Sequence, residues 1–350
     1  ADQRLLIHAG AVAEAVAVEK DVVPDCASVG AGEDIPAPIG LRFEIARAGQ
    51  IYFLHNRVET IGIFKKSLEE LRTSARIGVL HARLPEEEII KTVKYLAPVF
   101  GGINLEDISA PRCFRIEERL KKELDIPVVH DDQHGAATVV LTGLINAFKL
   151  SGLAKEKAKV VVNGAGAAGM AVAKLLLKYG VQNITVCDSK GTIYEGRPDL
   201  TDVKVELALL TNLEKIKGSL GDAVKETDVF IGLSVPGALT EEMVKSMNAK
   251  PIIFALANPV PEIMPNKAKE VGAFIVATGR SDFPNQVNNA LVFPGLFRGA
   301  LDNQVKNITD EMFIRIAENL ANLIGKPSVD MILPDVFNKE VVKTVAKSVY

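Results

Sequence analysis

The stretch that decides the fold is KVVVNGAGAAGMAVAKLLLKYG, which occupies residues 159–180. Its apolar run, its glycine turn and the helical periodicity that follows predict a strand, a tight turn and a helix that ends before Gly180. Gly164, Gly166 and Gly169 form a GxGxxG pattern at the turn. The first glycine allows the bend, the second lets the backbone approach a pyrophosphate, and the third lets helix and strand pack closely. In this context the pattern predicts a dinucleotide site; the alternative is a glycine turn that serves packing alone.

The next predicted strand, ITVCDSKG (184–191), ends with an acid, Asp188. An acid at this position can accept hydrogen bonds from the adenosine ribose hydroxyls, which favours NAD. Ser189 and Lys190 follow, and a lysine there could bind the 2′-phosphate of NADP; the alternative is a solvated charge at a strand end. The sequence therefore predicts NAD or NADP as cofactor without choosing between them. The stretch has no GKS or GKT ending, which excludes a P-loop ATPase site here.

Strands and helices continue to alternate downstream. Further strands are predicted in DVFIGLS (228–234), PIIFALANP (251–259) and AFIVATG (273–279). Such alternation indicates a parallel sheet covered by helices on both faces. We predict an α/β fold with a Rossmann-like doubly wound parallel sheet over residues 131–288. A second α/β domain is predicted to combine residues 1–130 with 289–350.

The N-terminal part of the chain has a weaker pattern. Residues 1–40 are rich in small residues and show no clear periodicity. The segment QIYFLH (50–55) predicts a strand, residues 60–72 a helix, and ARIGVLHA (75–82) a second strand. Together these three segments predict a local βαβ unit.

Composition narrows the class of protein. The chain has 350 residues, of which 48% are hydrophobic and 24% charged, and its net charge is −3. This balance argues against nucleic acid or an anionic membrane as a partner. The three cysteines lie far apart and form no CxxC pair, so neither a zinc ribbon nor a disulfide framework is expected. With no apolar run of transmembrane length and no signal peptide pattern, the expected location is the cytoplasm.

Two acidic pairs follow short apolar segments. Glu106 and Asp107 lie in GGINLEDI, and Asp131 and Asp132 lie in HDDQHG. Strand ends usually deliver side chains into a cleft, and carboxylates suit Mg²⁺ or Mn²⁺, which prefer oxygen ligands. The alternative for either pair alone is a surface turn or a helix cap.

Long strings of this sequence resemble malic enzymes. The matching strings are FGGINLEDISAPRCF (100–114), IPVVHDDQHGAA (126–137), VVVNGAGAAG (160–169), VCDSKGTIYEGR (186–197), FALANPVPEI (254–263) and ATGRSDFPNQVNNALVFPGLFRGAL (277–301). The close resemblance covers about residues 85–300, and we extend it to residue 350. The resemblance implies oxidative decarboxylation of L-malate to pyruvate and CO₂ with reduction of NAD⁺ or NADP⁺, and a homodimer. Its close alternative is malolactic conversion, which releases lactate.

The resemblance also implies roles for individual residues. Glu106, Asp107 and Asp132 would ligate the divalent metal, and Asp131 would support a catalytic lysine. Asn258 would lie against the nicotinamide and the substrate, whereas Asn288 and Asn289 would hydrogen-bond the malate carboxylates. The DSKG string is similar to that of several NADP-using members.

The chain departs from the family pattern near its N-terminus. The family takes its general acid from a tyrosine in a YTPG string and its base from a lysine in a GKA string, and neither string is present. Alignment on AVAEA (11–15) puts His8 at the tyrosine position. Lys65, or its neighbour Lys66, is the candidate for the base. The alternatives are a loop histidine and a lysine on a solvated helix face.

Residues 42–83 instead resemble a segment of transcription-repair coupling helicases, in EIARAGQIYFLHNRVETI (44–61) and ARIGVLHARLP (75–85). That segment carries no phosphate-binding loop, so it implies no ATPase. Two alternatives to an active enzyme follow: a chimeric or impaired relative that binds only dinucleotide and metal, and a nucleic-acid motor fragment, which the neutral charge disfavours.

Overall fold

The computed structural model describes residues 4–9, 51–55, 58–70 and 76–350. The chain divides into two units, Ala1–Val129 and His130–Tyr350. Among the described residues, no helix has the length and apolar character needed to cross a bilayer.

The first unit contains a three-stranded parallel sheet. Its strands are β1 (Arg4–Ala9), β2 (Ile51–His55) and β3 (Arg76–Leu80), and helix α1 (Val58–Glu70) connects β2 to β3. The predicted strand, helix and strand of this region are confirmed. The strand order is β2-β1-β3, so β1 lies between the two predicted strands. The sequence prediction missed β1, although RLLIHA is a short apolar run of the length typical of a buried strand.

The remainder of the first unit is helical around a short strand pair. Helix α2 (Glu86–Leu96), a 3₁₀ turn (Ala97–Val99), strand β4 (Ile103–Leu105), helix α3 (Arg112–Glu123) and strand β5 (Val128–His130) follow in order. One face of α2 buries Ile89, Ile90 and Val93, as its periodicity predicts. Strand β4 pairs with β5, and the Ile103 N–H donates to the Pro127 carbonyl at 2.8 Å.

The second unit contains a six-stranded sheet. Its strands are β6 (Lys159–Asn163), β7 (Asn183–Asp188), β8 (Gly191–Thr192), β9 (Val229–Gly232), β10 (Ile252–Ala255) and β11 (Ile275–Thr278). The order is β11-β10-β9-β6-β7-β8, and all neighbours are parallel except β7 and β8. The chain leaves β6 towards β7 on one side and returns to β9 on the other. This reversal is the doubly wound pattern, so the predicted Rossmann-like α/β fold is confirmed.

The central strands are buried runs of branched and aromatic residues, as expected for strands covered on both faces. The side chains of β9 and β10 are buried throughout. At the sheet edge, Thr192 of β8 is itself buried, and Gly191 is partly buried. The Thr192 N–H donates to the Gly218 carbonyl at 3.0 Å, and the Thr192 hydroxyl donates to the Ile216 carbonyl at 2.8 Å.

Helices surround this sheet. They are α4 (Ala136–Ser151), α5 (Ala167–Tyr179), α6 (Asp202–Leu210), α7 (Leu220–Val224), α8 (Glu241–Ser246), α9 (Pro265–Glu270), α10 (Phe293–Asp302), α11 (Asp310–Asn322) and α12 (Lys339–Ala346), with a π-helical turn at Asp131–Gly135 and a 3₁₀ turn at Asn289–Leu291. Helix α4 is buried from Ala137 to Phe148.

The C-terminal helices belong to the same unit as the sheet. The buried Asn146 amide on α4 donates to the carbonyls of Ala321 and Ile332, at 3.1 and 3.0 Å. These bonds tie residues 289–350 to α4. The grouping differs from the predicted one, in which residues 289–350 join the first domain.

Candidate functional site

The glycine turn between β6 and α5 has the geometry that its pattern requires. Gly164 has a φ of +122°, which favours glycine, and a Cβ there would lie 2.3 Å from the Leu233 carbonyl oxygen. A Cβ on Gly169 would lie 1.7 Å from the Gly164 carbonyl oxygen, so only glycine lets α5 approach the turn this closely. By contrast, a Cβ on Gly166 would meet nothing within 4 Å. Gly166 therefore borders open space, where a pyrophosphate could approach the backbone.

Helix α5 begins at that open space. Gly166 is its N-cap, no side chain caps the helix, and no acid lies in its first turn. The first N–H groups and the positive end of the helix dipole thus face a region suited to an anion.

Asp188, at the end of β7, is held by two cations. Arg197 reaches both carboxylate oxygens, with Nη1–Oδ1 at 3.0 Å and Nη2–Oδ2 at 2.5 Å, and Lys204 Nζ lies 2.6 Å from Oδ2. The backbone N–H of Lys190 donates to Oδ1 at 3.0 Å. A carboxylate offers about four acceptor positions, and these bonds fill them. For Asp188 to accept ribose hydroxyls, at least one present donor must move.

The same contacts set the ionisation of Asp188. Burial opposes its charged form, but the hydrogen bonds from Arg197, Lys204 and the Lys190 backbone outweigh burial and hold its pKa well below the ordinary value. Ser189 and Lys190 are exposed, and the Lys190 ammonium pairs with Asp199. The predicted roles of Asp188, Ser189 and Lys190 in cofactor choice stay predictions.

The two acidic pairs follow strands, as expected. Glu106 and Asp107 come directly after β4 in the first unit, and Asp107 has a positive φ of 60°. Asp131 and Asp132 begin the π-helical turn after β5 in the second unit. Positive φ at a residue other than glycine and π-helical turns are both frequent at functional sites.

The second acidic pair has defined neighbours. Asn289 Nδ2 donates to Asp131 Oδ1 at 2.8 Å, which brings together two predicted site residues from distant parts of the chain. Asp132 Oδ2 lies 3.8 Å from His130 Nδ1. A Cβ on Gly135 would lie 2.6 Å from Asp131 Oδ1, so this glycine leaves room for the carboxylate.

Carboxylate oxygens are the ligands that Mg²⁺ and Mn²⁺ prefer, so Glu106, Asp107 and Asp132 have side chains of the chemical type that binds such a cation. Within the described part of the chain, no group of three or more His, Cys, Asp or Glu side chains is arranged to hold a metal ion. The metal assignment therefore stays a prediction.

The other predicted site residues lie on loops or on the first unit. Asn258 is exposed in the loop after β10, whereas Asn288 is partly buried and accepts the Ala290 N–H at 3.0 Å as the cap of a 3₁₀ turn. His8 lies on β1, in register with Leu54 and Leu80. Lys65 lies on α1 with its Nζ 3.6 Å from Glu69 Oε1, an ion pair typical of a solvated helix face. Their catalytic and binding roles stay predictions.

The sequence analysis did not predict one group of polar residues at the carboxyl ends of the strands. Glu262 is fully buried and accepts the backbone N–H groups of Ser234 and Ala257, at 2.9 and 3.0 Å. Asn163 Nδ2 donates to the Ser234 hydroxyl at 2.8 Å. A single acid within the otherwise uncharged string ALANPVPEIMP was the available signal.

Comparison with protein families supports the resemblance. Residues 133–350 match the NAD binding domain of malic enzymes, and residues 72–121 match the malic enzyme N-terminal domain. The second match overlaps the end of the segment that resembles helicases. The comparisons give no support to the helicase resemblance, which stays a prediction.

Individual relatives agree with the family match. The bifunctional malic/malolactic enzyme of Bacillus subtilis (strain 168) is 59% identical over 266 residues, which are 75% of this chain and 65% of the relative. The NADP-dependent malic enzyme of Rhizobium meliloti (strain 1021) is 52% identical over 241 residues, which are 68% of this chain and 31% of the relative. The chain thus spans less than two thirds of the length of these relatives.

A solved structure covers nearly the whole chain. The crystal structure of the NAD-dependent malic enzyme from Thermotoga maritima aligns with a TM-score of 0.75 and 40% identity, over 99% of this chain and 84% of that one. Together with the glycine turn and the acidic pairs, these matches lead to one assignment. The chain belongs to the malic enzyme family.

Proposed function

We propose that this chain carries out the oxidative decarboxylation of L-malate to pyruvate and CO₂, with NAD⁺ or NADP⁺ as electron acceptor and a divalent cation as cofactor. The observation that carries the proposal is the hydrogen bond between Asp131 and Asn289 at 2.8 Å. It joins a residue expected to support the catalytic base to a residue expected to bind the malate carboxylates. Both lie in the same unit as the glycine turn.

In the proposed reaction the described residues mainly bind the dinucleotide and orient the reacting groups. Gly166 and the first N–H groups of α5 bind the pyrophosphate, because no side chain occupies that space. Asn289 holds Asp131 in one orientation and so fixes the carboxylate for a proton-transfer partner. When bound, the nicotinamide would accept two electrons from C2 of malate and the cation would polarise the C2 oxygen. Glu106, Asp107 and Asp132 would hold the cation.

His8 and Lys65 are the candidates for the general acid and the general base, and the ion pair of Lys65 with Glu69 must break for Lys65 to act as a base. If neither serves, the chain is an impaired relative, since loss of an acid or a base costs a factor of about 10²–10⁴ in rate.

A second candidate function is conversion of malate to lactate with the dinucleotide recycled. It is favoured by the similarity to the Bacillus subtilis relative, a bifunctional malic/malolactic enzyme. In that case lactate forms with no net change in reduced dinucleotide.

The test is absorbance at 340 nm with L-malate, Mn²⁺ and either NAD⁺ or NADP⁺, while pyruvate and lactate are assayed in parallel. We expect pyruvate and reduced dinucleotide in equal amounts, and loss of turnover in Asp132→Ala. The matched control is Asp330→Ala, which removes an exposed aspartate paired with Lys269 at 2.7 Å and should leave turnover unchanged. Lactate without reduced dinucleotide would favour the second candidate. Wild-type protein that binds dinucleotide but yields neither product would exclude both.

A further inference from the structure

The buried carboxylate of Glu262 lies between two loops at the carboxyl ends of the central strands. The first loop follows β9 and contains Ser234; the second follows β10 and contains Ala257. Glu262 Oε1 accepts the Ser234 N–H at 2.9 Å and lies 3.3 Å from the Ser234 hydroxyl. Glu262 Oε2 accepts the Ala257 N–H at 3.0 Å. Each carboxylate oxygen thus holds the start of one loop.

A carboxylate suits this position better than other groups of similar size. Each of its two oxygens faces a backbone N–H donor, so a carboxylate, which offers an acceptor at both oxygens, matches the pair, whereas an amide would turn its NH₂ towards one of them. The side chain is fully buried, where such groups are rare unless their hydrogen bonds are satisfied. Gly232 leaves the space that the Glu262 side chain occupies, because a Cβ on Gly232 would lie 2.4 Å from Glu262 Cδ.

The network extends to the glycine turn. The Ser234 hydroxyl accepts a hydrogen bond from Asn163, the last residue of β6 and the neighbour of Gly164. Glu262 therefore connects, directly or through Ser234, the ends of three adjacent strands: β6, β9 and β10. Ligands of doubly wound sheets bind at this edge, beside the point where the strand order reverses.

The position of Glu262 relates it to one half of the dinucleotide. With the adenosine half on the β6–β7 side, where Asp188 lies, the nicotinamide half extends over the ends of β9 and β10. Ala257 immediately precedes Asn258, the residue expected to contact the nicotinamide. We propose that Glu262 is a positioning residue for the nicotinamide half, which fixes the β9 and β10 loops in the conformation that binds the ring. The inference rests on the dinucleotide binding of the proposed function, but not on malate as substrate.

The test compares two ligands on the full chain. Calorimetry measures the Kd of NAD⁺ or NADP⁺, whichever binds more tightly, and the Kd of ADP-ribose, which lacks the nicotinamide. The variant Glu262→Gln keeps the size of the side chain but turns an amide NH₂ towards one backbone N–H. We expect a rise of about tenfold or more in the Kd of the dinucleotide, the size of effect that one lost buried hydrogen bond produces. The Kd of ADP-ribose should stay within about twofold.

Two further variants complete the design. Glu270→Gln makes the same chemical change at an exposed position on α9 and should alter neither Kd. Ser234→Ala removes only the hydroxyl and keeps both backbone bonds to Glu262. It should raise the Kd of the dinucleotide about threefold and leave ADP-ribose unchanged. This second variant gives the answer if Glu262→Gln fails to fold.

The outcomes separate the two proposals. Equal losses for dinucleotide and ADP-ribose in either Glu262→Gln or Ser234→Ala would overturn the role of Glu262 and leave the proposed reaction standing. If the variants lose dinucleotide binding selectively while the wild-type protein is inactive on malate, the positioning role of Glu262 is supported and the proposed reaction is excluded. Wild-type protein that binds neither NAD⁺ nor NADP⁺ would overturn both.

Discussion

The glycine turn allows a matched pair of substitutions with opposite expected effects. In Gly169→Ala, the new Cβ would lie 1.7 Å from the Gly164 carbonyl oxygen, whereas real Cβ atoms essentially never come closer than 3.0 Å. Helix α5 must therefore move away from the turn by more than 1 Å, an overpacking that costs about 1–3 kcal/mol. The better helix propensity of alanine offsets at most about 1 kcal/mol of this. The net cost is therefore at most about 3 kcal/mol, and at about 2–4 °C per kcal/mol for a unit of this size we expect a Tm lower by up to about 12 °C.

Gly166→Ala should leave the fold intact and impair binding. Its φ of −86° suits alanine, and nothing lies within 4 Å of the new Cβ. The loss of a glycine N-cap and the lower entropy of the unfolded chain nearly cancel, so we expect a Tm within about 2 °C of wild type. The Cβ instead occupies the approach of the pyrophosphate, and the Kd of the dinucleotide should rise at least about tenfold, or about 1.4 kcal/mol.

Thermal unfolding and calorimetry on both variants provide the readout. If Gly166→Ala unfolds as early as Gly169→Ala, the space beside Gly166 is not open in solution. If Gly166→Ala binds dinucleotide as tightly as wild type, the pyrophosphate does not approach the backbone at this residue. Either result would refute the argument from the glycine geometry.

Two further predictions concern the strand end at Asp188. Arg197→Met should lower the free energy of unfolding in urea by about 1–3 kcal/mol near neutral pH, because it removes two of the four hydrogen bonds to a partly buried carboxylate that keeps Lys204 and the Lys190 N–H. Since Arg197 helps hold the Asp188 pKa below its ordinary 3.8, its stabilising effect is present above that pH and is lost as the pH falls further; a difference from wild type that stays equal in acid would contradict the pairing. Lys190→Ala should raise the Kd of NADP⁺ about fivefold and leave that of NAD⁺ within about twofold, because of the two dinucleotides only NADP⁺ carries a 2′-phosphate that can compete with Asp199 for the exposed ammonium. Calorimetry with both dinucleotides measures this, and equal changes would exclude Lys190 from cofactor choice.

Local sequence patterns were sufficient to predict the Rossmann-like sheet of the second unit, although not that residues 289–350 belong to that unit. A side chain would clash at Gly164 and Gly169 and would meet open space at Gly166, as the pattern predicts, because these steric requirements depend only on the backbone of one turn. The pyrophosphate contact of Gly166 stays a prediction. The buried strands β9 and β10 were also predicted, since short runs rich in branched and aromatic residues between turn residues are typical of buried strands. The strand β1 was missed because a single apolar run with no regular neighbour has no local pattern to support it.

Contacts between distant residues were beyond prediction. The sequence predicted an acid at the strand end, Asp188, but not the donors that fill its acceptor positions. Arg197 lies in an irregular segment, and Lys204 lies on α6. Asn289 meets Asp131 from 158 residues away. Glu262 is a lone acid in an uncharged string, but the two loops whose N–H groups it accepts are 5 and 28 residues away in sequence. Such contacts depend on tertiary packing, for which periodicity carries no information.

The covered edge at β8 has a consequence for the behaviour of the protein at high concentration. An unpaired edge strand exposes a row of N–H and C=O groups with which a strand of another chain can form hydrogen bonds, and such pairing leads to aggregation or domain swapping. Here the edge strand has two residues, and Thr192 gives its backbone N–H and its hydroxyl proton to residues 216–218. A second molecule would have to displace this segment before it could extend the sheet. The β8 side of the Rossmann sheet is thus protected against self-association by strand addition.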